Sequence, residues 1–158
     1  MKTKNIFKLI VSIAICELAG VIGAVFTVSS IPAWYANLEK PKFAPPNWIF
    51  APTWTILFAL MGISAFLIWQ QGVDRKDVKN ALYIFTIQLI LNVFWSIIFF
   101  GFRNPFGAFI EIIFLWLAIF ATILSFAKVS KPAAWLLTPY ILWVSFAAYL
   151  NFSIWNLN

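Results

Sequence analysis

Polar and aromatic side chains recur at helical spacing inside long apolar stretches of this chain. Gln88, Asn92 and Trp95 follow the spacing i, i+4, i+7, which puts two amides and an indole on one face of a helix. Polar groups inside an apolar membrane helix are costly, so they usually face a pocket or another helix. An indole beside amide groups is typical of a small-molecule site with aromatic walls.

Further candidates occur in three other apolar stretches. Glu111 shares a helical face with Gly107, four residues before it. The remaining candidates are Trp54 and Thr55 in one stretch, and Tyr140, Trp143, Ala147 and Asn151 near one face of another. Together these groups predict a cavity with aromatic walls and a few hydrogen-bonding amides.

Each of these residues also has a purely structural interpretation. Amide side chains in membrane helices often bond across helices, so for Gln88, Asn92 and Asn151 both roles stay open. Glu17 is expected to make a polar contact between helices rather than to act in catalysis. Tryptophans near the ends of spans are commonly interfacial anchors, and a lipid-facing or anchoring role is expected for Trp69, Trp116 and Trp135.

The residue inventory excludes several kinds of chemistry. The sequence contains no histidine, which removes Ser-His-Asp and Cys-His catalysis as well as histidine-ligated zinc and haem iron. Cys16 is the single cysteine, so no intrachain disulfide and no cysteine-only metal site can form. No metal or other cofactor is therefore expected.

The composition indicates a membrane protein. Of the 158 residues, 63% are hydrophobic and 10% are charged, and the mean hydropathy is +0.93. A soluble domain of this size could not bury so much apolar surface. The net charge is +6, but the basic residues lie in short gaps between apolar runs, which favours membrane topology and anionic headgroups over nucleic acid.

The elements that must position these residues are five apolar stretches. They predict an all-α membrane protein with one domain over residues 1–158 and helices at about 6–29, 46–71, 80–102, 105–127 and 132–155. The N-terminal stretch is interpreted as a retained helix rather than a signal peptide, because Glu17 interrupts it and no cleavage site stands out. Pro139 is expected to kink the fifth helix.

The connection between the first two helices is unusually long and rich in proline and aromatic residues, which predicts a lid-like loop over residues 30–46. One side of the membrane would carry eight basic residues and the other three. The positive-inside rule then predicts a multi-pass protein of the cell membrane with a cytoplasmic N-terminus and an outer C-terminus.

Three segments together carry a resemblance to a known family. The chain reads WYANLEKPKFAPPNWIFAPTWTIL from Trp34, QLILNVFWSIIFFG from Gln88 and PYILWVSFAAYLNFSIW from Pro139. It resembles the translocator protein family, also called tryptophan-rich sensory proteins or peripheral-type benzodiazepine receptors, over nearly its whole length.

The resemblance implies a five-helix bundle, often a homodimer, that binds protoporphyrin IX and isoquinoline-carboxamide or benzodiazepine-type drugs in a lipid membrane. It also implies light- and oxygen-dependent porphyrin degradation in which Trp54 and Trp143 act as the catalytic residues. The implied binding residues are Ala24, Phe50, Trp54, Gln88, Asn92, Trp95, Phe100, Gly107, Ile110, Phe114, Trp143, Ala147 and Leu150. The implied lid residues are Trp34, Tyr35, Pro41, Pro45, Pro46 and Trp48.

The sequence departs from the animal members in two places. Phe152 stands where their proposed cholesterol motif has a tyrosine, and no basic residue follows it. Gly107 stands where a tryptophan is common at the start of the fourth helix in animal members.

Two other functions stay open beside a porphyrin-degrading enzyme. The first is a non-catalytic ligand sensor or receptor. The second is a tetrapyrrole transporter, against which stands the lack of an internal repeat.

Overall fold

A computed structural model describes residues 2–158, and all the regular structure in this range is helical. Short 3-10 turns at Tyr35–Asn37 and Asn47–Ile49 flank the connection that follows the first helix, and a π-helical turn at Ile97–Gly101 extends the third. The helices are α1 (Thr3–Ala33), α2 (Phe50–Trp69), α3 (Lys76–Ser96), α4 (Pro105–Ala127), α5 (Lys131–Leu136) and α6 (Thr138–Leu157).

Five stretches are long and apolar enough to cross a membrane. They cover residues 3–33, 47–69, 76–101, 105–127 and 131–157, so α5 and α6 together form the fifth span. The prediction of an all-helical chain with five such helices is confirmed. The fifth span is interrupted at Leu137, and Pro139 lies in the first turn of α6, where its missing N–H costs least.

Side-chain caps set the start of two helices. Asn104 accepts a hydrogen bond from the Gly107 backbone N–H at 3.0 Å, directly before Pro105 opens α4. Ser130 caps α5 in the same way through the Ala133 N–H at 3.4 Å. Each cap satisfies an N–H group that would otherwise lack an intrahelical partner.

The helices form a closed ring of neighbours. α1 packs against both α2 and α3, α3 packs against α4, and α4 packs against α6. The short helix α5 lies against α2 and α4 and closes the ring. The first helix therefore stands between the second and third, and α6 lies across the bundle from it.

The bundle is tightly packed where the second half of α2 meets the first half of α1. A Cβ atom added at Gly62 would lie 2.5 Å from the Ile13 Cα atom, so the two backbones approach as closely as a glycine allows. On the other side of α2, Ser64 donates a hydrogen bond of 2.6 Å to the Ala133 carbonyl oxygen of α5. Met61 and Ile68 are fully buried between these contacts.

The outer surface of the spans is apolar. Large exposed side chains include Ile10 and Val25 on α1, Ile90 on α3, Leu117 on α4 and Leu142 on α6. In water this surface would be an aggregation hazard, whereas lipid chains cover it without cost. The exposed apolar side chains agree with five helices that cross a bilayer.

Replacement of Gly62 by alanine should destabilise the bundle by about 1–3 kcal/mol, because the new methyl group meets the α1 backbone, which cannot move aside as a side chain can. Thermal unfolding in detergent measures the effect. Gly101→Ala is the matched control, since its added Cβ would meet only the Phe26 ring at 3.0 Å. Equal losses in both variants would contradict the close contact of α1 with α2.

Candidate ligand-binding cavity

A cavity of about 560 Å³ lies between α1, α2, α3 and α6, near the end of the bundle that carries the connection after α1. Its volume is in the range of sites for drug-sized ligands. The lining residues are Glu17, Ala19, Gly20, Val21, Gly23, Ala24, Thr27, Val28, Ile31, Tyr35, Asn47, Phe50, Ala51, Trp54, Thr55, Phe58, Asn92, Trp95, Ser96, Phe99, Phe100, Trp143, Ala147, Leu150, Asn151 and Ile154.

Small side chains on α1 leave the space that the cavity occupies. Gly20, Ala24 and Thr27 follow one another along the face of α1 that lines the cavity. A Cβ atom added at Gly20 would lie 2.7 Å from the Phe58 ring, so any larger residue there would push into the cavity wall.

The cavity has a lateral mouth between α1 and α2. Val21, Ala24 and Val28 of α1 line the cavity and are also exposed on the outer surface. Ala51 and Thr55 of α2 have the same two properties on the opposite side of the gap. The space therefore opens between two membrane-spanning helices toward the region that lipid chains would occupy.

Aromatic rings from α2 and α6 form part of the cavity wall. The Trp143 ring lies edge-on to Phe50 at 6.3 Å between centroids. The Trp54 ring contacts Phe58 at 5.5 Å and meets Tyr140 edge-on at 6.3 Å. Such a wall suits a flat aromatic ligand, because ring faces and edges are both available for stacking.

A hydrogen-bond chain lies at the floor of the cavity. Asn92 donates its amide N–H to the Tyr140 hydroxyl at 2.8 Å, and that hydroxyl donates to Gln88 Oε1 at 2.7 Å. All three side chains are buried. Since Asn92 lines the cavity and uses its amide nitrogen in the chain, its carbonyl oxygen is left for a ligand.

A second pair of hydrogen bonds fixes the wall formed by α3 and α6. The Trp95 indole N–H donates to Asn151 Oδ1 at 3.0 Å, and Asn151 Nδ2 donates to the Pro105 carbonyl oxygen at 2.8 Å. The Trp95 ring also stacks on Phe99 at 5.1 Å. The Trp95 and Asn151 side chains at the cavity are therefore held in fixed orientations by hydrogen bonds within the protein.

Two polar groups that belong to cavity-lining residues have no hydrogen-bond partner among residues 2–158. The Trp143 indole N–H and the Tyr35 hydroxyl are both buried without a hydrogen bond. Burial raises the pKa of Tyr35 to about 12, so its hydroxyl keeps its proton at any physiological pH. An unpartnered buried donor is destabilising.

The connection after α1 is held over this end of the bundle by specific contacts. The Lys40 ammonium group donates to the Tyr35 and Leu38 carbonyl oxygens at 2.9 and 3.1 Å, and it lies 4.7 Å from the centre of the Tyr35 ring. The Asn158 amide exchanges two hydrogen bonds with the Glu39 backbone, at 3.2 and 2.9 Å. Lys40 is consequently engaged within its own loop.

Most residues that the sequence assigned to one pocket come together. The cavity is lined by Ala24, Phe50, Trp54, Asn92, Trp95, Phe100, Trp143, Ala147 and Leu150. Gln88 instead lies beneath the cavity floor, buried in the Tyr140 hydrogen-bond chain. Gly107, Ile110 and Phe114 lie on α4, which contributes no lining residue; Ile110 and Phe114 are exposed on the outer surface.

The six expected lid residues occupy different environments. Tyr35 is buried and lines the cavity, and Trp34 packs edge-on against Phe99 at 5.5 Å. Pro41 and Pro45 are half-buried, whereas Pro46 and Trp48 are exposed, Trp48 to 73%. A lid function for these residues stays a prediction.

Sequence reasoning missed several lining residues, above all Glu17, which was expected to contact another helix. It lines the cavity together with Gly20, Ala24, Thr27 and Ile31 on α1. The spacing of these residues is helical, and that signal was present in the sequence.

The tryptophans expected at lipid or interface positions lie away from the cavity. Trp135 is 72% exposed, and Trp69 lies beneath the Lys8 ammonium group at 5.4 Å. Trp116 donates its indole N–H to Ser145 at 2.8 Å, a contact between α4 and α6 that the sequence did not predict.

Five apolar helices around an aromatic cavity define a multi-pass α-helical membrane protein, and comparison with known proteins gives its family. The TspO/MBR family profile matches residues 12–156. The chain belongs to the TspO/MBR family, as the three motifs indicated.

Several relatives match along nearly the whole chain. The chain is 44% identical over 155 residues to the tryptophan-rich protein TspO of Chlorobaculum tepidum, covering 98% of both chains. It is 45% identical over 154 residues to the protein of the same name from Archaeoglobus fulgidus, covering 98% of this chain and 99% of that one. The translocator protein of Bos taurus is 38% identical over 143 residues, covering 90% of this chain and 85% of the relative.

Replacement of Tyr140 by phenylalanine should lower the stability by about 1–3 kcal/mol, because it leaves the buried Asn92 and Gln88 amides without their shared hydroxyl. The midpoint of thermal unfolding in detergent reports the loss. Tyr149→Phe is the matched control, since Tyr149 is 60% exposed and keeps its stacking on Phe43 as a phenylalanine. A Tyr140→Phe variant as stable as the control would refute a structural role for the hydrogen-bond chain.

Proposed function

We propose that the cavity binds planar aromatic tetrapyrroles such as protoporphyrin IX, together with isoquinoline-carboxamide and benzodiazepine-type compounds. We further propose that the protein degrades the bound porphyrin in light and oxygen. The observation that carries the proposal is the pair Trp54 and Trp143, whose rings line one cavity from α2 and α6. Two indoles in one apolar cavity give a flat macrocycle two stacking surfaces.

The polar groups of the cavity support binding of a mostly apolar, flat ligand. Asn92 offers a carbonyl acceptor, and the lining residues Trp143 and Tyr35 carry donors that are buried in the wall without a partner. A few hydrogen-bonding groups in an otherwise apolar wall orient a ligand without requiring it to be strongly polar. A ring with N–H groups and peripheral carbonyl oxygens can use both kinds of group.

The candidate basic partners for the porphyrin carboxylates are Lys40, Lys42 and Arg103. The Lys40 ammonium group already donates hydrogen bonds to backbone carbonyl oxygens of its own loop, so it is less available to a ligand. Lys42 and Arg103 are exposed and are the basic groups left for this role. The propionates would then lie outside the apolar cavity, where water also solvates them.

The degradation chemistry needs an electron donor close to the excited ring. Light-excited porphyrin takes one electron from an adjacent indole, dioxygen adds to the ring radical anion, and the electron then returns to the indole cation. The net step adds dioxygen to the porphyrin ring, with dioxygen as the oxidant and the tryptophan restored. The side chains of Trp54 and Trp143 line the cavity wall on which the ring would lie. No acid–base dyad is required, which is consistent with a sequence that has no histidine.

A ligand sensor without catalytic activity is the second candidate function. It is favoured by the two hydrogen bonds that join Asn158, at the end of α6, to the Glu39 backbone in the loop after α1. A ligand that touches Tyr35 and Leu150 would contact both the loop and α6. Binding could then change the surface that the loop presents to a partner.

The orientation and assembly of the protein are part of the proposal. The asymmetry of eight basic residues against three supports a cytoplasmic N-terminus, with the loop and Asn158 on the outer side. A homodimer stays a prediction from the family resemblance.

Replacement of both Trp54 and Trp143 by phenylalanine should largely retain porphyrin binding while product formation falls to the rate of porphyrin and light alone. Each phenylalanine keeps part of the stacking, so affinity should fall by no more than about tenfold per site. Purified protein in detergent, illuminated with protoporphyrin IX in air, is followed by absorption for a new product.

The matched control is Trp135→Phe, a tryptophan that is 72% exposed on another part of the surface. Unchanged turnover in the Trp54/Trp143 double variant would refute the proposed mechanism. If unrelated tryptophan-containing proteins form the product equally fast, the sensor is the better description.

A further inference from the structure

Glu17 places a carboxyl group at the cavity in the middle of a membrane span. It lies near the centre of α1, which runs for 31 residues from Thr3 to Ala33. Its side chain is half-buried and lines the cavity close to the lateral mouth. Within residues 2–158 it makes no ion pair and no side-chain hydrogen bond, since the one ion pair there joins Arg75 and Asp77.

The helices packed against Glu17 supply no positive charge. α2 contains no charged residue between Phe50 and Trp69. The charged residues of α3 all lie in its first turn, and the π-helical turn that follows α3 has none. On α1 itself, Lys4 and Lys8 lie more than two helical turns away from Glu17 along the sequence. Within the described residues, these helices therefore place no basic side chain beside the Glu17 carboxylate.

An unpaired carboxylate is costly at this depth in a membrane, so intramembrane acidic residues usually serve a ligand, an ion or a proton path. We propose that Glu17 is a specificity-determining residue that recognises a protonated amine on an aromatic ligand at the lateral mouth. The aromatic part of such a ligand would lie between Trp54 and Trp143, so the inference rests on the proposed function of the cavity.

The negative charge of Glu17 makes the site favour cationic ligands over anionic ones. A ligand ammonium group next to Glu17 forms a charge-assisted hydrogen bond in a region of low dielectric constant. A ligand carboxylate at the same place would meet like charge with no cation nearby. A flat, amphiphilic aromatic amine should therefore bind more tightly than a neutral ligand of the same shape. An anionic group is tolerated only at the outer end of the cavity.

The experiment compares two ligands that share the same porphyrin ring and differ in charge. The neutral probe is the dimethyl ester of protoporphyrin IX, and the cationic probe is the same porphyrin coupled through both propionates to ethylenediamine. Binding to the full chain in phosphatidylcholine nanodiscs is measured by quenching of tryptophan fluorescence. Each variant is compared with the unchanged protein for the same probe, so the partition of that probe into lipid cancels.

Glu17→Gln should weaken binding of the cationic probe by about tenfold or more, because it removes the charged acceptor while keeping the side-chain size. Binding of the neutral probe should stay within about twofold of the unchanged protein, which also verifies that the variant is folded. Glu111→Gln is the matched control. Glu111 is the other mid-span acidic residue and does not line the cavity, so neither affinity should change.

Three results would overturn the inference. Glu17→Gln could leave the affinity for the cationic probe unchanged, it could weaken both probes equally, or Glu111→Gln could reproduce its effect. If neither probe binds the unchanged protein, the proposed tetrapyrrole function fails as well. Binding of the neutral probe without discrimination by Glu17 would refute the role of Glu17 alone.

Discussion

Hydrocarbon chains cannot accept or donate hydrogen bonds, and this constraint organises the whole molecule. It requires each span to satisfy its backbone internally, which helices achieve. It also requires polar side chains within the bundle to find partners across helices. The Tyr140 hydroxyl meets that need by linking Asn92 and Gln88, and Gln88 Nε2 reaches the Met61 sulfur of α2 at 3.9 Å. One polar chain thereby joins α2, α3 and α6 under the cavity floor.

A few buried polar side chains lack a hydrogen-bond partner within the described residues. Most buried polar atoms are hydrogen-bonded in folded proteins. Within residues 2–158 the exceptions are Tyr35, Trp143 and Glu111, and the first two line the same cavity. Two unsatisfied donors buried in the wall of one apolar cavity are costly to the folded state. Glu111 lies outside the cavity, and nothing among the described residues explains its unpaired carboxyl group.

The sequence predicts the helices better than it predicts the depth of each side chain. Long apolar runs determine five spans, and their number is confirmed. Helical spacing also predicts which residues share a face, but it does not say where along that face a cavity ends. Gln88 and Asn92 share a face, yet one lies beneath the floor and the other in the cavity. Ile110 and Phe114 lie on the outside because α4 packs behind α3 and α6, a tertiary arrangement that periodicity alone cannot predict.

The tryptophans divide by what their indole N–H groups contact. The Trp95 N–H is occupied by Asn151, so this ring is oriented by the protein and is available to a ligand only through its faces and edges. The Trp143 N–H has no partner among the described residues and is buried in the cavity wall, so it can donate to a ligand only after the indole turns toward the cavity. A flat ligand against both rings would then be stacked by one and anchored by the other. An N–H anchored in this way fixes the ligand ring at close range to the Trp143 indole, which is the geometry that electron transfer from the indole would require.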